Sequence, residues 1–273
     1  MHLRPLQLGT VPSLTDAAAK PPAGLPDKEE LRDRFDDIGR RMVKLQTPLY
    51  AEGTRGLLVV LQGRDTAGKD GVVRHVFGEL NPLGLDLTSF KVPTPEELSH
   101  DFLWRIHKAV PAKGRIGIFN RSHYEDVLVV RVHGLVPEPV WRARYEQING
   151  FERFLTDTGI VVLKFCLHIS RDEQRERLLA RLDAPEKNWK FNAADLKERE
   201  RWDDYTKAYE EALAFTSTAW APWYVVPSDR KPVRDLLIAE VVLEALTKMN
   251  PVYPPVPKEA AALRKLLEGD RQN

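Results

Sequence analysis

The sequence contains only one cysteine, Cys166, among its 273 residues. A single thiol excludes a disulfide within the chain and a zinc site built from several cysteines, which fits a reducing compartment. Long apolar runs are missing as well. The run 57–61 is far too short to cross a bilayer, and residues 1–20 lack the continuous apolar segment of a signal peptide. We therefore expect a cytoplasmic protein that has no membrane partner.

An excess of charge is also absent, since 41 lysines and arginines face 40 aspartates and glutamates. This balance argues against a generally basic nucleic-acid binder, although it leaves room for a local cationic groove. The seven histidines show no H-E-x-x-H or other metal-ligand spacing, so we expect no zinc centre. With 42% hydrophobic and 30% charged residues, the chain has the composition of an ordinary globular protein.

Short apolar segments alternate with amphipathic ones along most of the chain. The first, 57–61, is continuous and flanked by glycines, which is typical of a buried parallel strand. Further strands are predicted at 87–92, 115–119, 160–169 and 223–226, with helices at about 28–44, from 69, and at 95–110, 136–156 and 171–183. Strands that alternate with helices predict a parallel sheet covered by helices on both faces.

Three segments stand apart from this pattern. Residues 1–27 are rich in proline and alanine and predict an extended arm, which is either a disordered leader or docked onto a partner subunit. Residues 171–221 are rich in charge and tryptophan, so they form either a solvated helical hairpin or a mobile lid. Residues 256–273 predict a C-terminal tail with a short helix. The main domain is therefore expected over 28–255.

The strongest chemical signal is the segment 63–71, which matches the pattern G-x-x-x-x-G-K between a predicted strand and a predicted helix. Glycines let backbone N–H groups converge on phosphate oxygens, and a helix N-terminus adds positive potential. Lys69 would bring a mobile positive charge to the phosphate that is transferred. The alternative is an ordinary glycine-containing turn. The loop residues predicted to bind phosphate are Gly63, Ala67, Gly68, Lys69 and Asp70.

This loop departs from the usual phosphate-binding pattern. A serine or threonine that ligates magnesium is expected after the lysine, but the sequence has Asp70 there, and a further acid, Asp65, lies inside the loop. A carboxylate beside phosphate is repulsive unless a cation lies between them. We therefore predict that Asp65 binds Mg²⁺ or accepts a proton, and the alternative is an N-cap or turn acid. Asp70 also suits the role of a first-turn acid that the helix dipole favours.

A second polar cluster follows the predicted strand 115–119. In open parallel sheets, ligands bind at the carboxyl ends of the strands, where Asn120, Arg121, Glu125 and Asp126 are expected. Asn120 can hydrogen-bond to phosphate, and Arg121 can bind phosphate through two parallel hydrogen bonds. Glu125 and Asp126 can either ligate magnesium, for which Glu125 is the candidate, or contact the acceptor nucleotide, for which both are candidates. A capped turn would explain only part of this cluster.

Several basic residues elsewhere are candidates for a polyanion-binding groove. Arg177 and Arg181 are four residues apart and so share one face of a predicted helix. Taken singly, each basic residue could equally be a solvated surface charge. Beside a phosphate-binding loop, the set suits a polyanion longer than the phosphates of a nucleotide. The candidates are Lys91, Arg105, Arg177, Arg181, Lys187 and Lys190.

Taken together, these motifs resemble the polyphosphate kinase 2 family. The resemblance rests on the segments 63–71, 89–93, 100–105, 119–126 and 220–230, and it covers roughly residues 28–255. It implies a three-layer α/β/α P-loop kinase fold with a parallel sheet and a helical lid near 171–221. The positions that match the family's catalytic motif are Asp65, Lys69, Asn120 and Arg121.

The resemblance further implies an activity. Members of this family move phosphoryl groups between inorganic polyphosphate and nucleotides, with magnesium and usually as oligomers. The segment 124–126 looks like that of the group that accepts both AMP and ADP. We therefore predict transfer of the terminal phosphoryl of polyphosphate to AMP or ADP. Two alternatives remain: a P-loop kinase that uses ATP on a small metabolite or nucleoside monophosphate, and a non-catalytic module that binds polyphosphate or nucleotide.

Overall fold

The computed structural model describes residues 2–186 and 188–269. Its centre is one sheet of five parallel strands in the order β2-β3-β1-β4-β5. Every residue of the central strand β1 is buried, as expected from its continuous apolar run. The strands are β1 (Gly56–Gly63), β2 (Leu85–Ser89), β3 (Ile116–Asn120), β4 (Ile160–His168) and β5 (Trp223–Pro227).

Helices cover both faces of this sheet, so the predicted α/β/α fold is confirmed. Leu57, Val59 and Leu61 of β1 pack with helices α1, α2 and α10, whereas Leu58 and Val60 pack with α6 and α9. None of the described helices combines the length and apolar character that crossing a bilayer requires. The helices are α1 (Lys28–Glu52), α2 (Lys69–Val76), α3 (Pro95–Leu98), α4 (Trp104–Ala109), α5 (Val129–Val132), α6 (Glu138–Asp157), α7 (Arg171–Asp183), α8 (Ala194–Glu200), α9 (Trp202–Thr216), α10 (Lys231–Met249) and α11 (Ala260–Gly269).

Two predicted elements differ from the observed ones. The predicted strand 87–92 is displaced, because β2 ends at Ser89, opposite the last residue of β3, and the chain then leaves the sheet. The predicted helix 95–110 is two short helices. Thr94 caps the first of them in a capping box with Glu97, and a turn between residues 99 and 103 separates it from the second.

The N-terminal arm docks onto its own chain. The N–H of Leu6 donates to the carbonyl of Trp223 at the start of β5, over 2.8 Å. Leu14 and Ala19 are buried, and the carbonyl of Thr15 accepts a hydrogen bond from His168 Nε2 at 2.7 Å. The disordered-leader interpretation of residues 1–27 is therefore wrong for the described part of the arm, and the surface it covers belongs to the same chain.

The segment 171–221, predicted as a lid, has two structurally different parts. Helices α7 and α8, which we call the lid helices, lie at the rim of the sheet and carry most of the charge. Helix α9 instead inserts Ala208, Tyr209, Ala212 and Leu213 into the apolar core beneath the sheet. The boundaries of the predicted lid are therefore too wide, because burial of this apolar face fixes α9 to the domain. The predicted tail helix is α11, and residues 270–273 lie outside the described part of the chain.

Candidate active site

The glycine-rich loop turns the chain sharply between β1 and α2. Gly63 and Gly68 have φ angles of +152° and +101°, and Thr66 adopts the left-handed region with φ of +65°. At Gly68 a Cβ atom would lie 1.9 Å from the guanidinium of Arg234, so a larger residue does not fit. The glycines are thus required both for the turn and for the close approach of a buried cation.

Two arginines bind carbonyl oxygens of this loop. Arg234, which is 1% exposed, donates through Nη1 to the Ala67 carbonyl at 3.2 Å. Arg177 donates through Nη1 to the Thr66 carbonyl at 2.9 Å and through Nη2 to the Ser228 carbonyl at 2.7 Å. Because the carbonyl and N–H of a trans peptide point in opposite directions, this binding turns the N–H of Gly68 away from Arg234. The two arginines therefore fix the shape of the loop.

Arg177 corrects one of the sequence predictions. Its guanidinium binds the backbone of the loop and of the segment after β5, and its Nε donates to Glu173 at 2.7 Å. It does not line the large cavity into which Arg181, one helical turn further along α7, extends. Arg177 is thus a structural link between a lid helix and the loop, and of the two predicted arginines it is Arg181 that lines the cavity.

Lys69 is folded back onto the loop. Its ammonium group donates to the carbonyls of Gly63 at 2.7 Å and Arg64 at 3.3 Å, and the residue is only 8% exposed. Burial, together with the positive charge of Arg121, lowers the pKa of Lys69 to about 8. Both of these acceptors are neutral carbonyl oxygens. A phosphate oxygen would offer the ammonium group an acceptor that carries a full negative charge.

Arg121 joins the two predicted magnesium ligands. It has a φ angle of +64°, uncommon for a residue with a side chain. Its Nη2 donates to Asp65 Oδ1 at 2.5 Å and its Nη1 to Glu125 Oε1 at 3.2 Å. Glu125 and Asp65 raise the pKa of Arg121, although burial opposes them. Asp65 makes no cap to α2, whose N-cap is Gly68, so its interpretation as an N-cap acid is wrong.

Asn120 and Asp126 flank this group from β3 and from the turn that follows it. The amide of Asn120 donates to Asp70 Oδ1 at 2.8 Å, which ties the end of β3 to the first turn of α2. Asp126 accepts a hydrogen bond from Arg144 Nη1 at 3.1 Å, and burial raises its pKa to about 6. Arg144 lies on α6 and was not predicted as a site residue.

One large cavity, of about 1160 Å³, opens at the carboxyl ends of the strands and contains most of these groups. Arg105 donates to the carbonyl of Lys91 at 2.9 Å on one wall, and Arg181 lies 3.4 Å from Asp195 on the other. Lys187 lies outside the described residues, as does the side chain of Lys190. The predicted residues that line the cavity are Asp65, Gly68, Lys69, Asp70, Lys91, Arg105, Asn120, Arg121, Glu125, Asp126 and Arg181, and Arg74 and Arg144 add to its positive charge.

The donor groups suit a magnesium ion that arrives with phosphate. Among the described residues, no three His, Cys, Asp or Glu side chains are grouped so as to hold a metal ion. Asp65 and Glu125, however, both reach the guanidinium of Arg121 and both line the cavity. Mg²⁺ is commonly held by one or two carboxylates, with phosphate oxygens and water completing its shell. The site therefore fits a shared ion better than an ion caged by protein alone.

The arrangement defines a class. A parallel sheet of this strand order with a glycine-rich loop, a buried lysine and a cationic cavity at the strand ends is a P-loop kinase fold suited to phosphoryl transfer. The family model for polyphosphate kinase 2 matches residues 26–254. This chain therefore belongs to the polyphosphate kinase 2 family.

Individual relatives agree with this placement. An AMP/ADP-polyphosphate phosphotransferase of Meiothermus ruber is 54% identical over 217 residues, which are 80% of this chain and 81% of the relative. An ADP-polyphosphate phosphotransferase of Rhodopseudomonas palustris is 48% identical and is aligned over 83% of each chain. The crystal structure of polyphosphate kinase 2 from Arthrobacter aurescens TC1 superimposes with a TM-score of 0.87 at 45% identity, over 91% of this chain and 89% of that one.

Proposed function

We propose that this protein transfers the terminal phosphoryl group of inorganic polyphosphate to AMP and ADP, which yields ADP and ATP. The observation that carries the proposal is the large cavity, in which cations continue from the loop at Lys69 to Lys91, Arg105 and Arg181 on its walls. Such a row of cations exceeds what the phosphates of one nucleotide need. The relatives named for both acceptors and for ADP support the same substrates.

The chemistry rests on positioning and charge. An oxygen of the acceptor's terminal phosphate attacks the terminal phosphorus of polyphosphate, the anhydride bond behind that phosphorus breaks, and the chain leaves one phosphate shorter. The transition state is loose, so neutralising its charge matters more than covalent catalysis. Lys69 and Arg121 hold the phosphates in this scheme. A strong base is unnecessary, because a phosphate monoester with a second pKa near 6 is already ionised at neutral pH.

Arg121 must exchange partners for this reaction to proceed. Its two terminal nitrogens donate to Asp65 and Glu125. A phosphate that accepts those hydrogen bonds releases the two carboxylates, which are then free to hold magnesium. The ion would neutralise part of the negative charge on the phosphates. In this proposal Asp65 and Glu125 would bind Mg²⁺.

The decisive assay uses polyphosphate as the sole phosphoryl donor with purified protein, magnesium, and either AMP or ADP. We expect ADP from the first acceptor and ATP from the second, formed about 100-fold or more slowly when Lys69→Ala protein prepared in the same way is used. Transfer only when ATP is the donor would instead indicate a conventional nucleotide-dependent kinase. Binding of polyphosphate without any turnover in magnesium would indicate a binding module.

Three further properties complete the proposal. The protein is a homo-oligomer, supported by the exposed apolar side chains of Leu83 and Leu87 at the outer edge strand β2. Light scattering on a sizing column measures the mass directly, and a monomer at all concentrations would contradict this part. The protein is cytoplasmic, where its nucleotide substrates are found, and with a net charge of +1 it does not use nucleic acid as a partner.

A further inference from the structure

Directly beneath the Arg121 turn lie four polar side chains that take no part in the cavity. His123 and Tyr124 belong to the turn itself, Glu152 lies on α6, and Lys164 lies in the middle of β4. Each of them is fully buried, with a relative exposure of 0%. We call His123, Tyr124, Glu152 and Lys164 the buried cluster.

Their hydrogen bonds form one connected network. Glu152 Oε1 accepts from Tyr124 Oη at 2.9 Å and lies 3.2 Å from His123 Nε2. Lys164 Nζ donates to Glu152 Oε2 at 2.5 Å and to Tyr124 Oη at 2.7 Å. Because an ionised carboxylate only accepts, the proton of neutral His123 must be on Nε2.

The charges in the buried cluster are fixed by this pairing. Burial opposes ionisation of Glu152, yet Lys164 and His123 together hold its pKa below the usual value. Burial lowers the pKa of His123, which keeps the imidazole neutral. The cluster therefore contains one anion and one cation, sealed from water.

Stability alone does not account for such a cluster. A buried ion pair is often no better for stability than apolar side chains of similar volume. The surroundings here are apolar and aromatic: Tyr124 packs edge-on against Trp223, and His123 packs against Phe151. What the ion pair adds is direction, since a carboxylate and an ammonium fix where the Tyr124 hydroxyl and the His123 ring must lie.

We propose that Glu152 and Lys164 are positioning residues for the proposed phosphoryl transfer. Through Tyr124 and His123 they clamp the middle of the turn whose two flanks are Arg121 and Glu125. Arg121 has a left-handed backbone conformation, which persists only where the surroundings determine it. The buried cluster supplies that constraint, and it keeps Arg121 and Glu125 aimed into the cavity.

The same cluster also reaches the end of helix α9. Lys164 Nζ donates to the carbonyl of Thr216, the last residue of α9, at 2.8 Å. At the other end of this helix the Trp202 carbonyl accepts from Arg64 of the glycine-rich loop at 3.0 Å. Lys164 thus links the turn after β3 to α9, which in turn contacts the glycine-rich loop. The turn and the loop are therefore both positioned relative to the same buried side chain.

The experiment uses Tyr124→Phe, which retains the packing ring and removes the hydroxyl that connects turn and ion pair. Tyr145→Phe is the matched control: it makes the same substitution at another buried tyrosine of the same core, whose Oη accepts from Arg131 Nη1 at 3.3 Å, away from the turn. We expect kcat to fall about tenfold in Tyr124→Phe, since small misplacements of catalytic groups are that costly, and KM for polyphosphate to change less than about twofold. The control should lose thermal stability and keep its kcat.

A double-mutant cycle with Arg121→Lys separates positioning from general loosening. If Tyr124 acts through Arg121, adding Tyr124→Phe to Arg121→Lys should reduce kcat by less than about twofold. Independent, multiplicative losses would overturn the proposal, as would an equal fall of kcat in Tyr145→Phe. The proposal rests on the proposed function, but different results would refute the two. A wild type that transfers no phosphoryl group from polyphosphate refutes the function. An active wild type whose variants lose kcat independently of each other refutes only the positioning role.

Discussion

Two clusters of opposite charges meet at the turn after β3, and they differ in their contact with water. In the cavity cluster of Asp65, Arg121 and Glu125, the side chains are 29%, 31% and 16% exposed. In the buried cluster the charged side chains of Glu152 and Lys164 are 0% exposed. Water and incoming phosphate can replace a partner in the first cluster. In the second, an unpaired charge would be destabilising by about 3–5 kcal/mol, so its partners are permanent.

This difference in exposure suits the two clusters to different roles. In the cavity cluster the guanidinium of Arg121 lies between two carboxylates, and in the proposed reaction phosphate competes with them for it. The buried cluster cannot exchange anything, so its effect is geometric. Because residues 121 and 125 serve the first and residues 123 and 124 serve the second, one short turn connects a changeable set of contacts to a fixed one.

The largest expected effect is the loss of Lys69, the cation next to the cavity cluster. Lys69→Ala should lower kcat about 100-fold or more, because the variant lacks a preorganised charge on the migrating phosphoryl. Steady-state assays with polyphosphate and ADP measure this, and Lys248→Ala, an exposed lysine on α10, serves as the control. Near-normal turnover in a folded Lys69→Ala protein would show that the loop does not hold the transferred phosphate.

Equivalent amide substitutions in the two clusters test the comparison directly. Asp65→Asn should lower activity about 10–100-fold, as loss of a metal-site contact does, and raise the magnesium concentration needed, with little change in Tm. Glu152→Gln leaves Lys164 unpaired in the core, so it should lower Tm strongly. Calorimetry and magnesium titrations on both variants provide the measurement. If Asp65→Asn instead shifts Tm as much as Glu152→Gln, the distinction between exchangeable and permanent pairs does not hold.

The third prediction concerns the choice of acceptor. AMP places its attacking oxygen one phosphate closer to the ribose than ADP does, and a magnesium ion held by Glu125 would bridge the shorter acceptor to the donor. Glu125→Gln should therefore lower kcat/KM for AMP several-fold more than for ADP. The comparison requires both acceptors at saturating polyphosphate and magnesium. Equal losses for AMP and ADP would exclude a role of Glu125 in acceptor choice.

A smaller effect should distinguish Arg177 from Arg181, the two arginines of α7 that the sequence predicts to bind polyphosphate. Arg181→Gln should raise KM for polyphosphate a few-fold and reduce its dependence on salt, because one screened contact with the polyanion is gone. Arg177→Gln should leave that salt dependence unchanged and lower Tm, since it removes hydrogen bonds to the carbonyls of Thr66 and Ser228. KM at several ionic strengths, with Tm for both variants, decides the matter. A reversed pattern would return Arg177 to the polyanion site.

The smallest expected effect lies between the clusters, at Asp126. Its pKa is raised to about 6 by burial, so the neutral acid is favoured in the folded state. A raised pKa stabilises the fold below the unfolded value and loses that contribution as pH rises through the folded one. Asp126→Asn should thus match wild type below the unfolded pKa, at about pH 3, and exceed its Tm by about 3 °C above pH 6. A wild type that becomes relatively more stable as pH rises would contradict this sign.

The sequence predicts the parts of this site that are contiguous in the chain. The loop 63–71 and the segment 120–126 carry their chemistry at fixed spacing next to clear strands, so their meeting at one sheet edge follows from parallel topology. Arg144 and Arg234 were missed, because each contacts the site from a helix distant in sequence and no local pattern marks it. Arg177 and Arg181 share a face of α7, as their spacing predicts. Because they are one helical turn apart, however, Arg177 reaches the loop and Arg181 reaches the cavity.

The ends of the chain show the same limit. The proline content of the arm predicts extended backbone, but its docking depends on Leu14 and Ala19 finding apolar pockets formed much later in the sequence. The predicted lid is too wide because charged residues are frequent in both α8 and α9, whereas only α9 buries an apolar face. The apolar residues around Lys164 predict only a buried strand. Its partner Glu152 lies on α6 and is brought to it by the tertiary structure.

The docked arm also determines the order in which the chain can fold. Residues 6–19 contact His168, Ala214, Trp223 and Asp229, all of which lie more than 140 residues further along the chain. Closing contacts of such long sequence separation is slow, because the intervening chain must first be ordered. The arm therefore cannot dock before the residues around β4 and β5 are in place, so its contacts are among the last to form and this edge of the sheet stays uncovered until then.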